Sequence, residues 1–192
     1  FKKFISFFGK NIKTIDCTFD YNQSLKKSLD SILKESLNAV REGANQLILT
    51  DKNVSEKKIA IPMLLCVGAV NNYLIKSKLR GHVSLNIQTG DALDTHSFAT
   101  LIGVGATTIN PYLSLDCVYQ RYKKKLFGTL NYDECVERYI QAVNAGLLKI
   151  MSKMGISVLS SYRGGCNFET LGLSRTIVLE YFHGVTSKIS GI

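Results

Sequence analysis

The chain has 192 residues, 45% of them hydrophobic and 20% charged, and 24 Lys and Arg against 15 Asp and Glu give it a formal net charge of +9. That length suits one domain with a sizeable core, and that composition excludes a disordered or low-complexity segment. No apolar run reaches the roughly 18 residues needed to span a bilayer, and the opening Phe-Lys-Lys-Phe-Ile-Ser-Phe-Phe-Gly is too short for a signal sequence with a cleavage site. A soluble, cytoplasmic chain without a membrane partner is therefore expected. It starts at Phe1 rather than Met and stops at Ser190-Gly191-Ile192 directly after a helix-like pattern, so a piece of a longer polypeptide is expected too.

Thr14 to Phe19 alternates as a strand does, after which Asn22 or Ser24 can cap a helix. That helix carries Leu25, Leu29, Ile32, Leu33, Leu37 and Val40 on one stripe and is stopped by Gly43. Gln46 to Thr50 is a short apolar strand ending in Asp51-Lys52-Asn53. The pattern repeats with a helix from about Pro62 to Leu79, stopped by Gly81, and a strand from His82 to Ile87 ending at Gln88-Thr89-Gly90. Asp94 can cap a short helix with Phe98, Leu101 and Ile102, which passes through Gly103-Val104-Gly105-Ala106 into a strand Thr107-Thr108-Ile109 ending at Asn110-Pro111-Tyr112. Lys123 to Asn131 reads as an insertion between two helices, the second running from Asp133 to Met154 and ended by Gly155. A fifth strand is expected over Ser157-Val158-Leu159-Ser160, followed by Ser161-Tyr162-Arg163-Gly164-Gly165 and two short helical segments.

Strand and helix alternate throughout, which predicts an α/β fold of alternating βα units with a mainly parallel sheet, as either an open layered sheet or a partial (β/α) barrel. No linker divides residues 1–192, so they form one domain. In parallel α/β folds ligands gather beyond the carboxyl ends of strands. The loops at Asp51–Asn53, Gln88–Gly90, Asn110–Tyr112 and Ser161–Gly165 are therefore the places for a site. Asp51, Asn53, Gly90, Pro111 and Gly164 are also ordinary turn residues. The sharpest candidate is the set Ser161, Arg163 and Gly164, where a hydroxyl, a guanidinium and a glycine amide can hold a phosphate or carboxylate, or tie one domain to another.

Other chemistries lack their residues. His82, His96 and His183 lie in different elements, without metal-ligand spacing. Cys17, Cys66, Cys117, Cys135 and Cys166 are far apart, as reduced thiols are, and do not form the close set an iron–sulfur cluster needs. There is no nucleophile turn and no P-loop, and Gly103-Val104-Gly105 follows a helix where a dinucleotide fingerprint must follow a strand. Only Arg121 to Lys125, beside Tyr119 and Tyr122, resembles the mixture of cations and aromatics that grips nucleic acid. A solvated lysine surface explains the rest of the charge, so no nucleic acid is expected.

Several blocks resemble the central region of the large subunit of glutamate synthase. They are Leu47-Ile48-Leu49-Thr50-Asp51, Ile61 to Val70, Leu101 to Ala106, Ile109 to Leu113 and, above all, Gly146 to Ser157, which runs on into Ser161-Tyr162-Arg163-Gly164 and Phe168 to Leu173. The resemblance covers about Leu47 to Ile192 in order. Asn71-Asn72 stand where the family typically has two histidines, Val104 where it has Tyr, and Gly165-Cys166 where it has Ala-Gln. The resemblance implies an enzyme that makes L-glutamate from L-glutamine and 2-oxoglutarate by reduction at FMN, with an iron–sulfur cluster. In it this piece would be a scaffold between the glutaminase and FMN domains. It further implies an electron donor such as a small electron-transferring subunit or ferredoxin, a cytoplasmic or, in a photosynthetic eukaryote, plastid location, and no catalytic, cofactor-binding or metal-binding residue in this chain. The alternative is a stand-alone α/β anion-binding module.

Overall fold

A computed structural model describes residues 2–191; the domain ends at Phe1 and Ile192 lie outside the described residues. After a first turn of helix, α1 (Lys2–Phe8), the chain enters β1 (Ile12–Asp16), α2 (Leu25–Arg41), β3 (Gln46–Thr50), α3 (Met63–Lys76), β5 (Ser84–Gln88), α4 (Thr95–Gly103) and β6 (Thr108–Asn110). These four strands form one all-parallel sheet in the order β1-β3-β5-β6. Each unit is added on the same side as the last. An open doubly wound sheet reverses direction at a switch point, and among the described residues none occurs, as in a partial (β/α) barrel.

The register sorts the strand residues onto two faces. Ile15, Leu49, Ile87 and Ile109 share one row, which packs with α2, α3 and α4 into the main core. Thr14, Ile48, Asn86 and Thr108 share a row of the other face. The polar members of that face bond sideways to one another. Asn86 Nδ2 donates to Gln46 Oε1 (2.9 Å), Thr108 Oγ1 donates to Asn86 Oδ1 (2.8 Å), and Thr50 Oγ1 donates to Gln88 Oε1 (2.9 Å). A buried amide such as Asn86 is tolerated because these bonds replace the water it loses.

Helix ends follow capping chemistry closely. Asp94 caps α4, its carboxylate accepting from Ser97 N (2.8 Å). Gly43 takes a left-handed conformation after α2 (φ +101°), where Gly43 N donates to Val40 O and Ala44 N to Ala39 O. The same two-bond motif closes α4 at Gly105 (φ +131°). It also closes α3, but at Lys78 (φ +59°), so that helix ends at Lys76, three residues before the expected end at Leu79. A side chain in this conformation costs about 1 kcal/mol. Lys78→Gly is therefore expected to raise the melting temperature by roughly 2–4 °C in a thermal melt.

The two helices expected on either side of Lys123–Asn131 form as α5 (Tyr112–Lys123) and α6 (Tyr132–Lys153), and the other expectations need correction in three places. The first strand breaks at Cys17, which is fully buried, and Thr18–Asp20 (β2) turns away to pair antiparallel with Lys58–Ala60 (β4). Ser157–Ser160 is not a fifth strand: the chain is extended only to Val158 and then turns into α7 (Leu159–Tyr162). The helical turn buries Tyr162 against Ala99, Ile102 and Met151, which an extended run would not do. Only one of the two expected terminal helices forms, α8 (Arg175–Tyr181), flanked by a small parallel pair, β7 (Glu169–Leu171) and β8 (Thr186–Ile189). Its residues Val178 and Tyr181, with Phe182 just after it, join the main core, where the Phe182 ring fits over Gly68 of α3 with no room for a Cβ.

All five cysteines are free thiols, with Cys17, Cys66 and Cys135 buried and Cys117 and Cys166 exposed. The neighbouring Cys66 thiol and burial push the Cys17 thiol far above its ordinary pKa. A chromogenic thiol reagent at neutral pH is expected to titrate two cysteines in the native protein and the other three only after unfolding.

Candidate functional site

Three of the four expected loops do meet at the carboxyl end of the sheet. Asp51 leaves β3 fully buried, and its carboxylate accepts from Thr89 Oγ1 (2.5 Å) and from Gly90 N (3.1 and 3.2 Å) after β5. Asp91 Oδ2 accepts from Met63 N at the start of α3 (3.0 Å), one of the amides a helix leaves unpaired. The Tyr112 hydroxyl stands beside Gly90. Burial, the nearby Asp51 charge with its hydrogen bond, and the Asp91 charge push the Tyr112 phenol up to about 12. Next to them, burial alone would raise the Asp16 carboxyl, but hydrogen bonds from Thr18 and Asn53 and the charge of Lys58 bring it below the usual range.

These groups bind one another. The Asp51 carboxylate is committed to Thr89 and Gly90, and among the described residues no group of three or more His, Cys, Asp or Glu is placed to hold a metal. What the cluster can do chemically is pin the ends of β3 and β5 to the start of α5.

Tyr112 makes this pin pH-dependent. Its folded-state pKa lies above the unfolded value of 10, so the folded chain keeps a proton that the unfolded chain releases. The stability it contributes is complete below pH 10 and is lost as pH rises toward 12. Tyr112→Phe is expected to make the fall in melting temperature over pH 10–12 shallower, while Tyr181, also pushed to about 12 by burial and Glu180, maintains the remainder.

The fourth loop lies elsewhere. Arg163 is not in a strand-to-helix loop but at the carboxyl end of α7, and its Nε donates to Ala106 O (3.2 Å), just before β6 begins. Gly164 N donates to Gly103 O (2.9 Å). Ser161 is exposed and its hydroxyl does not enter this contact. The set Ser161, Arg163 and Gly164 thus sits at the amino end of the sheet, opposite the edge where ligands usually collect. Asp51 is at the other end of the strands from Arg163, and Glu169 pairs with Lys188 (2.6 Å).

Beside it lies a residue that sequence reasoning missed. Arg80, between α3 and β5, donates from Nε to Asn71 Oδ1 (2.6 Å), from Nη2 to Gly105 O (2.8 Å) and from Nη1 to Val83 O. One planar fork therefore holds α3, the entry to β5 and the entry to β6. Burial and the adjacent Arg163 charge lower the Arg80 pKa. Gly105 fits this knot only as glycine, because an added Cβ would lie 2.5 Å from Asn71. The available signal was weak: an arginine just past a helix end, followed by Gly81.

Asn71 and Asn72, the departures from the family pattern, are also engaged, since Asn72 Nδ2 donates to Glu180 O (2.7 Å) and ties α3 to α8. The mixture around Arg121–Lys125 is not a stacking platform. Tyr119 and Tyr122 pack against Tyr132 with centroids 5.4 and 5.8 Å apart, and Lys123 Nζ lies 4.8 Å over the Tyr119 ring, so the aromatics are occupied within the chain.

Both ends of the sheet thus carry interlocked polar groups, and the comparison with known families decides what kind of domain this is. The model of the glutamate synthase central domain matches residues 3–174. The chain belongs to the glutamate synthase central domain family. It is 47% identical over 195 residues to the glutamate synthase [NADPH] large chain of Azospirillum brasilense, covering 100% of this chain and 13% of that protein. It is 41% identical to the ferredoxin-dependent glutamate synthase of Pyropia yezoensis, covering 94% of this chain and 12% of that protein. The chain therefore spans about an eighth of the length of these relatives. Among solved structures, the DHODH of Eimeria tenella in complex with ferulenol resembles it with a TM-score of 0.51 and 16% identity, over 81% of this chain and 38% of that one. That likeness shows the fold alone. Every residue of the Arg80 knot lies within the span matched by the glutamate synthase central domain.

Proposed function

We propose that this chain is the structural joint of a glutamate synthase, holding a glutaminase domain and an FMN domain in register while they make L-glutamate from L-glutamine and 2-oxoglutarate. The observation that carries this reading is the end-to-end match to a large chain of which it is an eighth, in a domain whose polar clusters bind one another. FMN and an iron–sulfur cluster belong to the intact enzyme. The cysteines are dispersed and, among the described residues, no group of three or more His, Cys, Asp or Glu gathers, which does not fit the ligand set of an iron–sulfur cluster. A small electron-transferring subunit or ferredoxin supplies electrons to the whole enzyme, in the cytoplasm or a plastid.

The test is to express the full-length polypeptide from its own gene and measure glutamate formation from glutamine and 2-oxoglutarate with each donor. Failure with every donor would refute the reading. One observation favours the second reading, an anion-binding module: Arg163 lies beside Arg80, and among the described residues neither forms an ion pair with a carboxylate. In that case added phosphate or 2-oxoglutarate would raise the melting temperature of the wild type but not of Arg163→Lys. The joint reading predicts no rise in either and a loss of about 1 kcal/mol for the variant, from one hydrogen bond.

A further inference from the structure

β6 ends the sheet order β1-β3-β5-β6, so one side of its backbone has no partner strand among the described residues. Asn110 O accepts from Thr89 N and so faces β5. Successive residues of a parallel strand turn their peptide groups to opposite sides, which leaves the N–H and C=O of Ile109 on the open side.

A groove of about 450 Å3 opens there. Ile109 and Ile102 form its floor, and Val136, Ile140 and Val143 of α6 stand across from them. Tyr139 is also in that wall, and its hydroxyl is buried without a hydrogen-bond partner. A buried phenol in this state calls for an acceptor that the chain itself does not supply. The chain's own strand-like stretch does not add to β6: it turns into α7 at Leu159, which is one of the residues lining the groove.

We infer that an extended apolar segment of the same glutamate synthase polypeptide, from outside residues 1–192, enters this groove and adds to β6 as a fifth strand. This rests on the chain being part of a glutamate synthase, whose relatives carry most of their length outside the matched region. An extended segment brings together what the groove lacks: a donor and an acceptor for the Ile109 peptide group, a carbonyl within reach of Tyr139, and apolar side chains for the α6 wall. A helix offers no free peptide groups along its length, and a small apolar molecule cannot satisfy the strand edge and the phenol together. Tethering in one polypeptide makes the insertion effectively intramolecular.

The test uses the full-length polypeptide with the photo-crosslinking residue p-benzoylphenylalanine in place of Ile140, and, as control, in place of Leu148, an exposed position of α6 outside the groove. Cross-links are mapped by mass spectrometry, and hydrogen exchange at the Ile109 amide is measured on the unmodified polypeptide. The expected result is a cross-link from position 140, absent from position 148, to one stretch outside residues 1–192. Exchange at Ile109 should be slowed at least roughly 100-fold against an unstructured amide. Free exchange at Ile109 would overturn the inference, as would a cross-link confined to residues 1–192 or joining two polypeptides. Glutamate formation by the unmodified polypeptide is assayed in parallel, so failure of the enzyme reading shows separately from an empty groove.

Discussion

Replacing Arg80 with leucine is expected to lower the unfolding free energy by about 3 kcal/mol, because three acceptors lose their donor inside the fold: Asn71 Oδ1, Val83 O and Gly105 O. For a chain of this size that corresponds to a fall in melting temperature of roughly 6–12 °C. Arg80→Lys keeps the charge but not the fork, so it should recover only part of the loss. Gly105→Ala attacks the same knot from the other side, through its left-handed backbone and the contact with Asn71. The two substitutions share partners, so their effects should sum to less than the separate losses. Full additivity in denaturant melts would show that the Arg80 fork and Gly105 are independent.

The second large effect is expected at the opposite end of the sheet. Asp51→Ala strands the Thr89 hydroxyl and the Gly90 amide and removes the charge next to Tyr112, for a loss of about 2–4 kcal/mol. Asp51→Asn retains an acceptor oxygen and should lose less. Because Asp51 and Arg80 share no partner and lie at opposite ends of the strands, the double variant should be additive within about 0.5 kcal/mol. The check is chemical denaturation of the two single variants and the double.

The contrast between these sites shows what the sequence made legible. The stripe from Leu29 to Val40 and the stop at Gly43 were readable because an amphipathic helix and its glycine cap are local patterns. The gathering of Asp51, Thr89, Gly90 and Tyr112 followed from parallel topology alone. Arg163 was placed at the wrong end of the sheet because Val158-Leu159 reads as a strand, and a strand there would have aimed the next loop at the carboxyl edge. The local pattern lost to the burial of Tyr162, a tertiary contact that no window of sequence contains. Arg80 was missed for a related reason. Its three acceptors come from Asn71, Val83 and Gly105, and two of these are backbone carbonyls that leave no trace in residue identity. β2 was read as a continuation of the first strand because nothing local marks the turn at Cys17, and β4 was missed because Lys58–Ala60 is a short run with little alternation.

The central claim, that these polar groups hold the domain together without taking part in catalysis, is tested most directly by steady-state kinetics of the full-length polypeptide carrying Arg163→Lys. The assay is run well below the melting temperature of both proteins. The account predicts that kcat and the KM values for glutamine and 2-oxoglutarate stay within roughly twofold of the wild type while the melting temperature falls. A loss of kcat, or a rise in KM for 2-oxoglutarate, of about tenfold or more with both proteins fully folded would contradict it.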